Sequence, residues 1–550
     1  MNRYLRADRL ILTIYIAAVP FMAIASVFFC FSLKPITDAA VSGSFSQFLY
    51  AAAAGIFWAL MDNVAQGGHK LIREKLRVVF VSGLRQDVYE GIMRKSVSSF
   101  NTATVPQYVS MLNSDVDKIN SCYFDSVCGF YRVAVCFSIS LATVIYQNVA
   151  IAGLTLLTGV VSLLFPFLFE KKVVEKQTAS SRKSAEFYSL LQDFLYGFTT
   201  IRLFHVKEIA GRRMKTANQN LENANYQTTR AVYLSSWVSI TWTEVSYILT
   251  IILGVWFCRK GLLSVGAVMM ISQLTGGIIA PFEELPELIS SYKSVKEIRD
   301  KLLALTQEPV PEGNTQAALR MDDSGYCIRN LSYSVQGKKI LKGAELCVKP
   351  GEKVMLLGRS GSGKSTLVKL MAGFLEPEDG SICLGGHTVK AYTEKELYRH
   401  VTYLEQDIFL FEDTLRNNIT MYKDYDEKEL EKAVSNSGLS ELIAALPRGL
   451  DTMVENGGKN FSGGEKQRIG IARALLAGSR FLLLDEMTTG LDPLMARSIE
   501  EKILSNPEVA VVLITHQLSE RTMRMCDKIA VLEDGKITEK GSCDSVTLPI

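Results

Sequence analysis

A glycine-rich loop begins at Gly358 and carries residue types that bind charged groups through the backbone. It reads GRSGSGKS, follows the apolar run Val354–Leu357, and leads into a helical pattern that starts at Thr366. Glycines let backbone N–H groups wrap a polyphosphate, a following lysine reaches the β- and γ-phosphates, and a serine hydroxyl binds Mg²⁺. Because a strand and a helix flank the loop, a chance match is disfavoured. The predicted phosphate-binding residues are Gly358, Arg359, Ser360, Gly361, Ser362, Gly363, Lys364, Ser365 and Thr366.

Two further apolar runs end in residues that could act on a phosphate. Asp485 comes directly after the run Phe481–Leu484, and a carboxylate at a strand tip suits the coordination shell of Mg²⁺. The adjacent Glu486 is placed to act as a general base toward an attacking water. His516 follows the run Val509–Ile514 and is predicted to contact the γ-phosphate or to orient the water. Strands that end in such groups and alternate with helices predict a mainly parallel sheet with the site at its carboxyl edge.

The first half of the chain is more apolar than the core of a soluble domain requires. The chain has 550 residues, of which 48% are hydrophobic and 21% charged, and its formal net charge is +3. So small a charge excludes a protein that binds nucleic acid by bulk charge. Runs with one charged residue or none lie at 10–33, 39–61, 133–169, 231–258 and 261–282. A bilayer-spanning helix needs about 20 apolar residues, and the third run is long enough for two helices, so six spans are predicted.

Basic residues predict the orientation of these spans. Eight Lys and Arg residues lie in 63–125 and eleven in 171–230. By the positive-inside rule, both long loops, both termini and the phosphate-binding half are cytoplasmic. Glu244, in the fifth span, is predicted either to line a path through the membrane or to hydrogen-bond to neighbouring helices. Arg132, at the start of the third span, is predicted to extend to the membrane interface.

A change in composition marks the boundary between the two halves. A helical pattern continues beyond the last span and is stopped by Pro309, Pro311 and Gly313. We therefore predict a transmembrane domain at residues 1–305, a linker at 306–319 and a nucleotide-binding domain at 320–550. The predicted fold class is an α-helical transmembrane domain of six spans with long cytoplasmic helical extensions, followed by an α/β P-loop NTPase domain.

The second half also carries a set of motifs that together resemble one family. The sequence FSGGE at 461–465 resembles the signature of the ATP-binding cassette (ABC) ATPases. Gln406 resembles the Q-loop of that family, Leu491-Asp492 its D-loop, and His516 its switch histidine. P-loop kinases and GTPases lack the signature element. The six preceding spans are similar to the permease of the exporter type, so the resemblance covers practically the whole chain as one half-transporter.

The resemblance implies a dimer of two half-transporters, either identical or paralogous, which holds ATP between its two ATPase domains. Each ATP would contact the P-loop of one chain and Ser462, Gly463 and Gly464 of the other, at a helix N-terminus that favours anions. Cytoplasmic loops of the permease would rest on the ATPase domains near residues 100–110 and 190–205. Closure of the dimer would move the spans, and hydrolysis would reset them.

The same resemblance implies a role for each residue near the phosphates. Glu486, His516 and Gln406 would be catalytic, with Glu486 as the base for the attacking water. Ser365, Gln406 and Asp485 would bind Mg²⁺. Gln406 would in addition link the γ-phosphate to the contact with the permease. The implied cofactors are therefore ATP and Mg²⁺.

Several positions depart from the family pattern. The aromatic residue that stacks on adenine in the family aligns with Val335, and Tyr333, two residues earlier on the same face of a strand, is predicted to replace it. Phe461 stands where leucine is usual and Glu465 where glutamine is usual. The extra acid near a phosphate is expected to lower the activity of that site.

These features predict an ATP-driven exporter that moves an amphiphile, drug, lipid or peptide across the membrane by alternating access. The enzyme class is an ATP hydrolase coupled to transport, in the cell membrane of a bacterium (its inner membrane). The predicted partners are a second half-transporter, the lipid bilayer and a transported substrate, with no nucleic acid. The alternative is a membrane-tethered ATPase that acts as a gate or regulator without uphill transport. A P-loop kinase is disfavoured, because no element that would bind a phosphate acceptor is visible.

Overall fold

The computed structural model describes residues 1–307, 324–335, 337–455, 457–515 and 519–539. These residues form two compact units. The first contains Met1–Gly91 and Val105–Gln307, and the second contains Ile92–Thr104 with the described residues from 324 onward. Most of the predicted linker, 306–319, lies outside the described residues, so its bounds stay a prediction.

The chain up to residue 307 folds entirely into helices and turns. The helices are α1 Asn2–Leu5, α2 Arg9–Ser42, α3 Phe45–Met93, α4 Val97–Phe100, α5 Val105–Ser110, α6 Val116–Lys118, α7 Asp125–Gln147, α8 Val149–Ser162, α9 Leu164–Tyr196, α10 Phe198–Leu203, α11 Lys207–Arg259, α12 Val265–Ser294 and α13 Lys296–Thr306. Two π-helical stretches, Met111–Asp115 and Ile119–Phe124, join α5, α6 and α7 into one continuous helical segment.

Five helical segments among the described residues are long and apolar enough to cross a membrane. They are Arg9–Ser42, Phe45–Met93, Val105–Gln147, Lys207–Arg259 and Val265–Ser294. The fourth of the six predicted spans is instead divided between α8 and α9, which are separated by Leu163. The 14 residues of α8 extend about 21 Å at 1.5 Å per residue, which is short of a hydrocarbon core of about 30 Å. This crossing therefore also needs the apolar beginning of α9.

Three short turns reverse the chain between neighbouring spans. Gly43, with φ of 73°, ends α2 and leads through Ser44 into α3, a backbone conformation that glycine adopts at low cost. Asn148 alone separates α7 from α8, and its side chain accepts hydrogen bonds from the first backbone N–H groups of α8. Residues 260–264 join α11 to α12. The polar break that the sequence shows at 147–148 is thus the turn between two spans.

The second unit combines two sheets with short helices. Its strands are β1 Tyr326–Val335, β2 Lys338–Val348, β3 Lys353–Leu357, β4 Asp379–Leu384, β5 His387–Thr388, β6 Val401–Leu404, β7 Phe481–Asp485, β8 Ala510–Ile514, β9 Lys528–Glu533 and β10 Lys536–Glu539. Its helices beyond α4 are α14 Lys364–Met371, α15 Glu394–His400, α16 Leu415–Thr420, α17 Glu427–Asn436, α18 Ser440–Ala445, α19 Gly463–Leu476, α20 Pro493–Leu504 and α21 Glu520–Arg524.

The larger sheet positions the predicted site. Its six strands lie in the order β10-β9-β3-β8-β7-β6, with β3, β6, β7, β8 and β9 parallel and β10 antiparallel at one edge. All residues of β3, β7 and β8 are buried, as expected for parallel strands covered on both faces. Their carboxyl ends lead into Gly358, Asp485-Glu486 and Thr515. The prediction of a mainly parallel sheet with these groups at one edge is confirmed.

Candidate functional site

The P-loop connects β3 to α14 in the conformation that the motif predicts. Gly363 precedes α14 with φ of 105°, and a Cβ atom there would lie 2.6 Å from Cγ2 of Ile340. A side chain at Gly358 would lie 2.6 Å from the backbone oxygen of Leu532. Both positions therefore require glycine, because a Cβ atom would meet neighbours at the two ends of the loop.

Lys364 folds back over this loop. Its Nζ donates hydrogen bonds to the backbone oxygens of Gly358 and Arg359, at 2.9 and 3.0 Å. The side chain is buried, and burial lowers the pKa of Lys364, while the nearby Glu486 and Asp485 act in the opposite direction. Two backbone carbonyls thus hold the ammonium group at the loop, and two acidic side chains lie close enough to interact with its charge.

Asp485 ends β7 and has one carboxylate oxygen without a partner. The residue is buried, and its Oδ1 has no hydrogen-bond partner among the described residues. Its Oδ2 accepts a hydrogen bond from the hydroxyl of Tyr403 at 3.4 Å. Burial raises the pKa of Asp485, and a hydrogen bond from Ser365 partly offsets that rise. An orphaned carboxylate oxygen beside a serine hydroxyl fits a small divalent cation, which prefers oxygen ligands.

Glu486 and Gln406 meet at the carboxyl edge of the sheet. Gln406 Nε2 donates to Glu486 Oε2 at 3.0 Å, and the Thr489 hydroxyl donates to the same oxygen at 3.4 Å. Glu486 has φ of 52°, and its backbone N–H donates to the Ile514 oxygen at the end of β8, at 3.0 Å. A left-handed conformation is uncommon for a residue with a side chain and marks positions that are held by their surroundings.

The signature segment forms the N-terminus of α19. Ser462 is the N-cap, and its hydroxyl accepts from the Glu465 backbone N–H. The Glu465 carboxylate accepts in return from the Ser462 backbone N–H at 2.7 Å and from its hydroxyl at 2.9 Å. This reciprocal arrangement is a capping box, which satisfies free donors at the start of a helix. The acid that departs from the family pattern is therefore bonded to the same Ser462 groups that the resemblance assigns to ATP.

A cavity of about 580 Å³ opens at this helix end. It is lined by Gln406, by the signature residues Ser462, Gly463 and Gly464, and by Asp492. Asp492 in turn caps α20, because its Oδ1 accepts from the backbone N–H groups of Leu494 and Met495. None of the residues that line this cavity belongs to the P-loop. The signature and the P-loop of one chain therefore face different spaces.

Tyr333 lies half-buried on β1, paired with Leu341 of β2. A cavity of about 820 Å³ is lined by Tyr333 and Val335 together with Thr366 of α14. The two strand residues thus share a face, as the period of two predicts. An adenine contact by Tyr333 stays a prediction.

Some predicted residues lie outside the described part, and some described residues were not predicted. His516 falls in 516–518, whose placement is not described. Tyr403, which bonds Asp485, was not singled out from the sequence, although its place in a short strand just before Gln406 is a usable signal. Thr489, which bonds Glu486, carries no signal beyond its nearness to the acid.

The charged residues of the spans differ in part from expectation. Arg132 forms an ion pair through its Nη2 with Glu284 of α12 at 2.5 Å. The pairing partners both charges, and the extension of Arg132 to the membrane interface stays a prediction. Glu244 is exposed and has no hydrogen-bond partner among the described residues, whereas the adjacent Thr243 donates to Glu283. Of the two alternatives for Glu244, bonding to neighbouring helices of the same chain is not observed.

A buried acid in the second span was missed by the sequence analysis. Asp62 is 9% exposed and lies on α3. It accepts from the Ser26 hydroxyl at 2.5 Å and from Gln66 Nε2 at 2.8 Å. Because Asp62 directly follows the charge-free run 39–61, it looked like the end of a span.

Two family models match this chain, one in each half. The family model described as ABC transporter transmembrane region matches residues 12–282. The model described as ABC transporter matches residues 341–489. Both occur in this one chain and in the order that the sequence motifs predict.

Curated relatives resemble the chain over most of its length. An ATP-dependent lipid A-core flippase of Neisseria meningitidis serogroup A is 29% identical over 398 residues, which is 70% of this chain and 63% of that protein. The match thus spans less than two thirds of that relative. The ATP-dependent lipid A-core flippase of Vibrio cholerae is 25% identical over 551 residues, which is 98% of this chain and 93% of that protein.

A solved structure shares the fold. The structure of a bacterial Atm1-family ABC exporter with ATP bound superimposes with a TM-score of 0.83 and covers 97% of this chain and 95% of that one. The sequences are 20% identical, so this likeness concerns the arrangement of the helices and sheets.

Proposed function

This chain belongs to the ABC transporter family, as a transmembrane region of the exporter type fused to an ABC ATPase domain, and we propose that it is one half of a dimeric, ATP-driven exporter. In this proposal the second half is another copy of the same chain, since this chain carries Lys364, Asp485, Glu486 and the signature. ATP binding closes the two ATPase domains and moves the spans, and hydrolysis reopens them.

The observation that carries the proposal is the separation of the two phosphate-binding elements. The signature at Ser462 lines a cavity that the P-loop of the same chain does not reach. Ser462 and the backbone N–H groups after it form an anion-binding helix N-terminus. A nucleotide held by Lys364 therefore needs the signature of a second chain to complete its surroundings.

Features of the first unit support pairing of two chains in a membrane. The short helix α10 and the residue that follows it expose large apolar side chains: Phe198 is 56%, Leu203 70% and Phe204 73% exposed. Exposed apolar clusters of this kind mark interaction sites. We assign this loop to the ATPase domain of the partner chain, and the segment Ile92–Thr104, which belongs to the second unit, to the domain of its own chain.

Mg²⁺ completes the ATP site in this proposal. Ser365 and the orphaned oxygen of Asp485 would be its ligands from the protein, with Gln406 reaching the site from the side of Glu486. When bound, the cation neutralises charge on the phosphates. Glu486 takes the proton of the attacking water, and Gln406 holds the Glu486 carboxylate in place.

The transported compound is proposed to be an amphiphile. The spans are apolar, but Glu244 on α11 and Glu287 on α12 are exposed acids within or close to them. Two relatives are named ATP-dependent lipid A-core flippases, and a lipid falls within the class of amphiphiles. We place the chain in the cell membrane of a bacterium, with both termini and the ATPase domain in the cytoplasm.

Reconstitution of the purified chain alone tests this function. In liposomes that carry a fluorescent phospholipid, ATP with Mg²⁺ is expected to change the fraction of lipid that an outside quencher reaches. The Lys364→Ala chain provides the baseline. ATP hydrolysis without any redistribution of lipid, and without accumulation of a cationic dye or a labelled peptide, would support a gate or regulator instead.

The role of Glu244 is tested by removing its charge. We expect Glu244→Gln to lower amphiphile-stimulated ATP hydrolysis about threefold or more and to leave basal hydrolysis within about twofold, because the residue belongs to the helical unit and not to the ATPase unit. Glu222→Gln, which changes an exposed acid on the polar part of the same helix, is the matched control. Equal changes in basal and stimulated rates would assign Glu244 to the fold.

The capping box at the signature makes a second prediction. The Glu465 carboxylate accepts from the Ser462 donors, and its charge repels a triphosphate at this helix end. Glutamine can keep the capping box without the charge, so Glu465→Gln is expected to raise the affinity for ATP about tenfold, a gain of about 1.4 kcal/mol. The affinity for ATP is measured in the Glu486→Gln background, in which hydrolysis is expected to be too slow to interfere.

A matched control exists in the same domain. Glu396 forms the other capping box, with Thr393 at the start of α15, so Glu396→Gln makes the same chemical change away from the signature. Equal effects of the two substitutions would attribute the change to helix stability and contradict the proposed competition.

A further inference from the structure

Glu500 is a buried acid whose two oxygens bond residues from two different segments. It lies on α20 and is 3% exposed. Its Oε1 accepts from the Thr488 hydroxyl at 2.9 Å, and its Oε2 accepts from the Thr522 hydroxyl at 3.0 Å. Both threonines are also buried, each 2% exposed. One carboxylate therefore holds two buried side chains that are far apart in sequence.

The two threonines belong to segments that flank the carboxyl edge of the sheet. Thr488 follows Glu486 by two positions and precedes the Asp492 that caps α20. Thr522 lies on α21, which follows β8. Glu486 is itself bonded to the sheet, because its backbone N–H donates to the oxygen of Ile514, the last residue of β8.

These bonds hold the segment that follows the base. The Glu500 carboxylate joins Thr488, two residues after Glu486, to Thr522 of α21. On the other side of Thr488, the Glu486 backbone N–H is bonded to Ile514. Fixing Thr488 constrains the backbone next to Glu486, where a left-handed conformation must be maintained. Glu500 is thus connected to Glu486 through two residues of backbone.

A buried acid at this position opposes folding when it is charged. The partners of Glu500 among the described residues are two neutral hydroxyls, with no ion pair, and burial raises its pKa. Because the folded pKa lies above the unfolded one, the charged form opposes folding once the pH exceeds the unfolded value. A buried charge can often be replaced by an apolar side chain without loss of stability. Stability alone does not account for this residue.

We propose that Glu500 is a positioning residue for ATP hydrolysis, which holds the Glu486 segment and α21 in one arrangement through Thr488 and Thr522. The inference rests on the proposed function, in which Glu486 is the base. Glu500 touches neither the nucleotide nor the water, and it acts through the loop that carries the base. Each hydroxyl donates to its own carboxylate oxygen, whereas an amide at this place has one oxygen and one NH2 group and would reverse the direction of one of the two bonds.

The test replaces Glu500 by methionine, which has a similar length and no acceptor. Glu500→Met is expected to lower kcat for ATP about tenfold, because small displacements of a catalytic group are costly, and to leave the KM for ATP within about twofold. Thr488→Val/Glu500→Met/Thr522→Val removes the whole network and leaves no buried hydroxyl unpaired. This triple variant keeps the test valid if the single variant folds poorly.

Combining Glu500→Met with Glu486→Gln distinguishes a residue that positions the base from one that only stabilises the fold. In the Glu486→Gln chain, Glu500→Met should cause no further loss of the residual hydrolysis, because the base it positions is gone. A tenfold loss in both backgrounds, or an unchanged kcat in the folded triple variant, would overturn the inference. If Glu486→Gln itself left hydrolysis unchanged, the proposed function of Glu486 would be at fault instead.

A neighbouring acid supplies the control. Glu501 forms an ion pair with Arg521 at 2.9 Å, so it joins the same two helices at the surface. Arg521 is 77% exposed, and such pairs contribute little. Glu501→Met is expected to leave both kcat and KM within about twofold of the unaltered chain.

Discussion

The Glu486→Gln chain is expected to bind ATP with unaltered affinity and to hydrolyse it at least about a hundredfold more slowly. The amide keeps the size and the left-handed backbone of Glu486 but cannot take a proton from water. The Gln406 side chain, which donates to the carboxylate at 3.0 Å, loses its charged acceptor. ATP should therefore remain bound between two closed ATPase domains.

Two measurements check this result. Phosphate release gives the turnover, and size-exclusion chromatography of the detergent-solubilised Glu486→Gln chain with radiolabelled ATP gives the retained nucleotide. Glu508→Gln, an exposed acid beyond α20, serves as the control and should behave as the unaltered chain. Turnover within about threefold of normal would remove Glu486 from the role of base, because such a loss is too small for general-base catalysis.

The second large effect concerns sites shared between two chains. Lys364→Ala and Ser462→Arg chains are each expected to lose ATP hydrolysis by at least about a hundredfold, because every site in either homodimer has one defective side. A heterodimer of the two, isolated with a different affinity tag on each chain, has both defects in one site. Its other site pairs an intact P-loop with an intact signature, so hydrolysis should return.

A control with the same two substitutions tests the geometry. A chain that carries both Lys364→Ala and Ser462→Arg, paired with an unaltered chain, leaves each of the two sites with one defect. This heterodimer should stay inactive although its composition equals that of the first. If this heterodimer were active and the first one inactive, each nucleotide would be held by the P-loop and the signature of a single chain, which would refute the shared site.

Much of this molecule could be predicted because its signals are local. The P-loop has Gly358 and Gly363 at positions of positive φ, a conformation that favours glycine before any packing is considered, and a charge-free run is a span whatever it packs against. The turn at Asn148 was visible as a polar break between apolar runs. The start of α19 at Ser462 follows from the capping pattern of the signature itself.

Contacts between distant residues could not be predicted in the same way. Arg132 pairs with Glu284, which is 152 positions away, and no periodicity in either helix reports that they meet. Glu500 looks like one more acid on the exposed face of a helix until α20 is packed against its neighbours. The break in the fourth span could not be predicted either, because its apolar run is continuous, whereas the helix is interrupted at Leu163.

The permease segment that joins the ATPase unit overlaps the expected one in part. The family resemblance implies a contact near residues 100–110, and the segment that belongs to the second unit is Ile92–Thr104. A cavity of about 760 Å³ is lined by Ser96 and Ser99 from this segment and by Thr393 and Tyr398. Polar serines there had no apolar pattern to reveal that they are part of the ATPase unit.

The three turns between α2 and α3, α7 and α8, and α11 and α12 have a practical consequence for labelling. Under the proposed topology these turns are the segments exposed at the cell exterior, and one of them is the single residue Asn148. An epitope inserted at Asn148 would remove the hydrogen bonds to Ala150 and Ile151. The stretch 260–264 is the longest of the three, so a reporter tag for surface detection belongs there.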